Sequence, residues 1–206
     1  METKEKILSK SEALFLRYGI RSVTMDDIAR ELGISKKTLY QIVDNKADLI
    51  KKVLLKYIEE ERSSMLEIIQ SSGNAIEEML NIGQHITQVL RKLKPTTLFD
   101  LQKYYPESWQ MVRALNQEHV YSVIRQNLEK GISQAFYRSN LNADIIARLY
   151  VGKTHYLVNE DFFPLRNYER GELYREFILY HMHGILSEKG REWIRTHHCM
   201  ESKSKN

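Results

Sequence analysis

Residues Thr24–Leu49, TMDDIARELGISKKTLYQIVDNKADL, hold three helix starts, one tight turn and a group of positive charges in costly places. Thr24 is a favourable N-cap, and Asp27 stands three residues on, where a capping-box side chain reaches back. Val23 and Ile28 occupy the two positions of a hydrophobic staple. Together these predict a helix over Met25–Leu32. Gly33 supplies the left-handed residue that closes it, Ile34 packs back, and Ser35 caps the next helix, with Leu39 completing a second staple. The connection is then about three residues long, as in a helix-turn-helix unit. Asn45 caps a third start, followed by Asp48 and by Leu49 as the first apolar anchor.

Lys36 and Lys37 fall in the first turn of the second of these helices and Lys46 in the first turn of the third. The helix macrodipole disfavours a cation there by roughly 0.3–1 kcal/mol. Cations that cost folding energy and have no internal partner are accounted for by an external anion, and helix N-termini already offer free N–H groups to phosphate. The stretch therefore points to a surface that meets nucleic acid.

From about Ile7 to Leu49 the chain resembles the DNA-binding domain of the tetracycline-repressor-like (TetR) family of transcriptional regulators. Matching features are Phe15 and Gly19 at the end of the first helix, the Thr24 start, Ile28-Ala29, Leu32-Gly33-Ile34-Ser35, Thr38-Leu39-Tyr40, and Asn45-Lys46 with Leu49. Two departures bear on the DNA sequence read: Lys37 stands where many members carry a small residue, and Gln41-Ile42-Val43 replaces a commoner polar-aromatic ending. The resemblance implies a ligand pocket inside the helical body. It also implies that ligand binding moves the long fourth helix, so that two heads no longer match their half-sites.

Site residues follow from chemistry and position. Thr24, Lys36 and Lys46 are expected at phosphates, and Tyr40 can give its hydroxyl to a phosphate while its ring rests on the core. Lys37, Thr38 and Gln41 are the candidates for base edges: Lys to guanine, Gln to adenine, Thr to a thymine methyl. Phe15, Ile28 and Leu39 are expected to pack, as are Ile42 and Val43.

The charge agrees. The 206 residues hold 31 Lys+Arg against 27 Asp+Glu; residues 1–56 hold 12 against 8, leaving 19 of each in the rest. A basic head on a charge-balanced body suits a module that meets a polyanion with one face. No run of eighteen apolar residues occurs, and METKEKILSK lacks a signal-peptide core, so a soluble, cytoplasmic protein with no membrane partner is expected. The single cysteine, Cys199, excludes an intramolecular disulfide; beside His197 and His198 it is read as part of a polar tail, with no metal or cofactor expected.

The fold expected is all-α: a helix-turn-helix domain over 1–46, a helical effector-binding and dimerisation bundle over 47–192, and a polar tail over 193–206. Helices are predicted over 3–18, 25–32, 36–43, 46–70, 74–93, 97–105, 106–134, 143–162 and 170–187. The last two look apolar over more than one stripe, and Gly152 and Gly184 allow close approach, so they are read as two helices of a four-helix dimer interface. A homodimer would read a pseudo-palindromic operator in double-stranded DNA. Tyr104, Trp109, His119, His155 and Tyr156 could line a pocket for a small apolar or aromatic effector, although no ligand site is assigned. The function expected is a ligand-released repressor. The rivals are a ligand-independent architectural DNA-binding protein and a helical enzyme. The enzyme's handles would be His181, His183 and Glu160-Asp161, whose spacings diverge around a helix.

Overall fold

Sparse proline and strong helix periodicity give helices and no named strand among the described residues of the computed structural model, which are 2–159, 161–164 and 166–197. In chain order they are α1 (Glu2–Tyr18), α2 (Met25–Leu32), α3 (Lys36–Tyr40), α4 (Lys46–Ser71) and α5 (Ala75–Lys92). Then come α6 (Pro95–Tyr104), α7 (Pro106–Ser133), α8 (Ala143–Leu157), α9 (Arg170–Ile185) and α10 (Glu188–His197). Glu160, His198 and Cys199, considered above, lie outside the described residues.

Two compact units form, one from residues 1–64 with 92–116, the other from 65–91 with 117 onward. These do not follow boundaries at 46 and 192: α6 and the start of α7 cluster with the head. In the first unit Ile7, Phe15, Ile28, Leu39, Val43, Leu49, Ile50 and Leu101 are buried together, with Trp109 packed against them. Phe15, Ile28 and Leu39 thus pack as expected.

In the second unit Ile76, Met79, Ile124, Leu128, Tyr150, Ile178 and Met182 build the core. A polar knot sits inside it. Glu78, 2% exposed, accepts from Asn127 Nδ2 at 2.9 Å and from Lys130 Nζ at 2.6 Å, while the Tyr137 hydroxyl donates to Ala75 O at 2.9 Å. A buried carboxylate is tolerable because both of its oxygens are satisfied.

Two predicted helices end differently, and one helix was not predicted. α3 stops at Tyr40 rather than Val43, because Ile42 N bonds Leu39 O at 3.0 Å and Val43 N bonds the same carbonyl at 3.2 Å, tightening the chain so that Val43 is buried. α8 stops at Leu157 rather than Phe162. Asn159 captures the turn beyond it, its side-chain oxygen accepting from Asp161 N at 2.8 Å. Finally, α10 occupies residues assigned in part to a tail: Gly190 N donates to Ser187 Oγ at 3.1 Å, and Trp193 meets Phe136 edge-on with ring centroids 6.1 Å apart.

Candidate DNA-binding surface

The start of α2 is a closed capping box. Asp27 N donates to Thr24 Oγ1 at 3.2 Å and Thr24 N donates to Asp27 Oδ2 at 2.9 Å. The Thr24 side chain and backbone together hold the Asp27 carboxyl below its ordinary pKa. At the other end Gly33, at φ 65°, donates to Arg30 O at 3.1 Å, and Ile34 N donates to Ala29 O at 3.0 Å. That pair of bonds is a Schellman closure, and its left-handed residue is why glycine stands there. A Cβ at Gly33 would meet nothing within 4 Å, so the requirement is backbone angle and not space.

Ser35 Oγ accepts from Thr38 N at 3.0 Å and lies 2.9 Å from Thr38 Oγ1, so Thr38, half-buried, serves the cap of α3. The outer face of this helix carries Lys36, Lys37, Tyr40 (46% exposed) and its C-cap Gln41, while Leu39 points inward. Asn45 Oδ1 accepts from Asp48 N at 3.0 Å to open α4. Lys52 Nζ, 2.7 Å away, holds the Asp48 carboxyl below its ordinary pKa.

The three lysines at helix starts do not share one situation. Lys36 Nζ is paired with Asp26 Oδ1 at 2.6 Å, and Lys46 Nζ donates to Arg21 O at 3.3 Å. Lys37 alone of the three has no such bond among the described residues. The expectation of cations without internal partners is therefore corrected for Lys36 and Lys46. An exposed pair such as Lys36–Asp26 contributes at most about 1 kcal/mol, so a phosphate can take Asp26's place. Lys46 is different: partial burial pushes its pKa down, opposed by the nearby carboxylates of Asp100 and Asp27.

Asp100 and its neighbours in α6 were not foreseen at this surface. Asp100 Oδ2 accepts from Arg21 N at 2.8 Å, and Arg21 Nη1 donates to the Tyr104 hydroxyl at 3.0 Å. Seventy-nine residues separate Arg21 from Asp100, and no local spacing signals such a pair.

The residues considered for a ligand pocket fall in both units. Tyr104 and Trp109 belong to the first unit; His119, His155 and Tyr156 belong to the second, where Tyr156 is 53% exposed. A groove of about 430 Å³ in the second unit is lined by Gln117, Glu118, Tyr121, Arg148, Val151 and Gly152, with Gln117 Nε2 2.7 Å from His155 Nε2. No group of three or more His, Cys, Asp and Glu that could hold a metal occurs among the described residues, and no helix there is long and apolar enough to cross a membrane. His181 and His183 diverge as expected, one packed on Tyr150 and the other exposed.

Two short helices joined by a glycine-closed turn, on a three-helix core, form a helix-turn-helix unit. Residues 7–53 match the bacterial regulatory proteins of the tetR family. The uncharacterized HTH-type transcriptional regulator YvaF of Bacillus subtilis (strain 168) is 25% identical over 187 residues, 90% of this chain and 96% of that one. Among solved structures, a TetR-family transcriptional regulator from Agrobacterium tumefaciens is 18% identical with a TM-score of 0.69, over 90% of this chain and 98% of that one. A Saccharomonospora viridis protein described as a transcriptional regulator, in complex with choline, is 20% identical with a TM-score of 0.65, over 91% and 99%. The chain thus carries the match to this family over residues 7–53, and along most of its length it is similar to HTH-type transcriptional regulators.

Proposed function

We propose that the chain is a cytoplasmic, homodimeric repressor that reads a pseudo-palindromic operator with α3 and leaves it when a small apolar or aromatic ligand binds the second unit. The observation that carries this reading is the outer face of α3. Among the described residues Lys37 has no carboxylate partner, Tyr40 and Gln41 are exposed, and Lys36 is held by a displaceable surface pair. Lys37, Thr38 and Gln41 address base edges, whereas Thr24, Lys36, Tyr40 and Lys46 fix the register on phosphates.

Dimerisation finds support in α8 and α9. Ile145, Leu149 and Tyr156 lie along one face of α8 and are each more than half exposed; Tyr180 on α9 is 68% exposed. A Cβ added at Gly152 or Gly184 meets nothing within 4 Å, so both helices keep room for a close neighbour. A second copy of the same two helices would cover this apolar surface. For the effector, the groove beside α7 and α8 offers the Tyr121 ring and Val151 as an apolar wall and Gln117 and Glu118 as polar anchors. Choline in the Saccharomonospora viridis protein is a precedent for a small ligand on this fold.

A thermal-shift screen of small apolar and aromatic molecules, followed by gel-shift titration with each hit, tests the reading. A saturable ligand that stabilises the protein and weakens DNA binding is expected. DNA binding indifferent to every stabilising ligand would favour the architectural alternative.

A further inference from the structure

α6 lies in the same compact unit as the head, and the seam it makes with the end of α1 and the turn before α2 is basic and aromatic. Lys94 Nζ donates to Arg17 O at 2.5 Å at one end of α6, and Arg21 donates to the Tyr104 hydroxyl at the other. Arg17 lies over the Tyr18 ring at 5.0 Å and Arg21 over the Tyr104 ring at 5.0 Å. Lys103 Nζ stands 5.2 Å from the Phe99 centroid and 5.5 Å from that of Tyr104. All four cations are exposed, and none has a carboxylate within 4 Å among the described residues. Of the acids near these cations, Asp100 is buried and bonded to Arg21 N, and Glu31, which feels the charge of Arg17, is paired with Lys10 at 2.8 Å. Rings beneath Arg17, Arg21 and Lys103 hold these three in place without neutralising their charge.

This seam is continuous with the expected phosphate contacts. Lys46 Nζ bonds the carbonyl of Arg21, and Thr24 follows Arg21 by three residues. A ten-residue helix spans roughly 14 Å at 1.5 Å per residue, the axial length of about four phosphates on one strand at 3.4 Å each.

We propose that Arg17, Arg21, Lys94 and Lys103 form a second, sequence-independent DNA contact, which grips the phosphate backbone of duplex flanking the half-site read by α3. The inference rests on the reading of α3 as the recognition helix. Its consequence is that the binding footprint is longer than the bases read, with an affinity that depends on the length of the flanks.

The test compares the full chain with Lys103→Gln and with Lys94→Gln/Lys103→Gln on three probes. These are a duplex trimmed to a site selected from random DNA, the same site with about ten flanking base pairs on each side, and mixed-sequence duplex of the longer length. Affinity is measured against salt concentration. Because each neutralised phosphate contributes a slope of about 0.9, Lys103→Gln should flatten the dependence by about one unit per head, and the double variant by about two. Those changes should appear on the flanked and mixed-sequence probes and be absent on the trimmed one. Lys103 contacts only rings, so the single variant guards against misfolding, and unchanged melting temperatures check it. Parent-like slopes on the longer probes overturn the flanking contact while leaving the α3 reading intact. So do equal losses on trimmed and flanked probes. Loss of salt-sensitive affinity for every probe in the unmodified protein overturns both.

Discussion

On the proposed reading of α3 as the recognition helix, Gln41 and Lys46 separate the two kinds of contact that a DNA-reading head makes. Gln41 is exposed and caps α3 through its backbone, leaving its amide free to meet a base edge. Gln41→Ala should therefore change sequence preference, costing about 1–3 kcal/mol of discrimination at one position, readable by competition titration across single-base operator variants. Lys46→Ala should instead weaken binding to all sequences alike and flatten the salt dependence by about one unit. It should also lower stability somewhat, because its ammonium ties α4 to Arg21 O. A third residue sets a pH limit. Burial, with the charge of Lys153 adding to it, pushes His181 down from 6.5 to about 4. Between those values the unfolded chain binds a proton that the folded chain refuses, so stability is full above about pH 6.5 and falls as pH drops toward 4, by roughly 3 kcal/mol in all. His181→Gln should flatten thermal stability across that window; an unchanged pH profile would show that another group governs it.

At the scale of elements, the head was legible because its signals are local. The capping box, the glycine closure and the two staples each lie within a handful of residues, and α2 runs over the residues predicted. Where the helices end depended on more distant packing. Val43 is drawn into the head core and shortens α3, and α10 begins inside the charged Ser187–Arg191 stretch, with Gly190 within it. In the structure that glycine is a contact: a Cβ there would sit 2.2 Å from Phe136 O and 2.7 Å from Leu186 Cδ2. Gly190→Ala should destabilise the second unit by about 1–3 kcal/mol or more through overpacking, seen as a lower urea midpoint. A midpoint equal to the parent's would mean that α10 is dispensable. The α6 seam was illegible for a related reason, since Arg21 meets Asp100 and Tyr104 across about eighty residues of sequence.

For the whole molecule the question is how one short helix achieves specificity. α3 has five residues, so a single copy meets few base pairs, and pairing through α8 and α9 would double the sequence read. Leu149→Glu places a charge on the exposed apolar face of α8 without entering the core. It is expected to yield monomers by sedimentation while each protomer stays folded, and to reduce DNA binding to the non-specific level. A dimer that survives this substitution would place the interface elsewhere.

Selection of bound fragments from random duplex DNA, followed by sequencing, tests the central claim most directly. A basic α3 face carried by a two-fold dimer predicts an enriched motif of two inverted half-sites about one helical turn apart, or a multiple of it, whose recovery falls steeply with added salt. Fragments with no common motif, or recovery indifferent to salt, would contradict it.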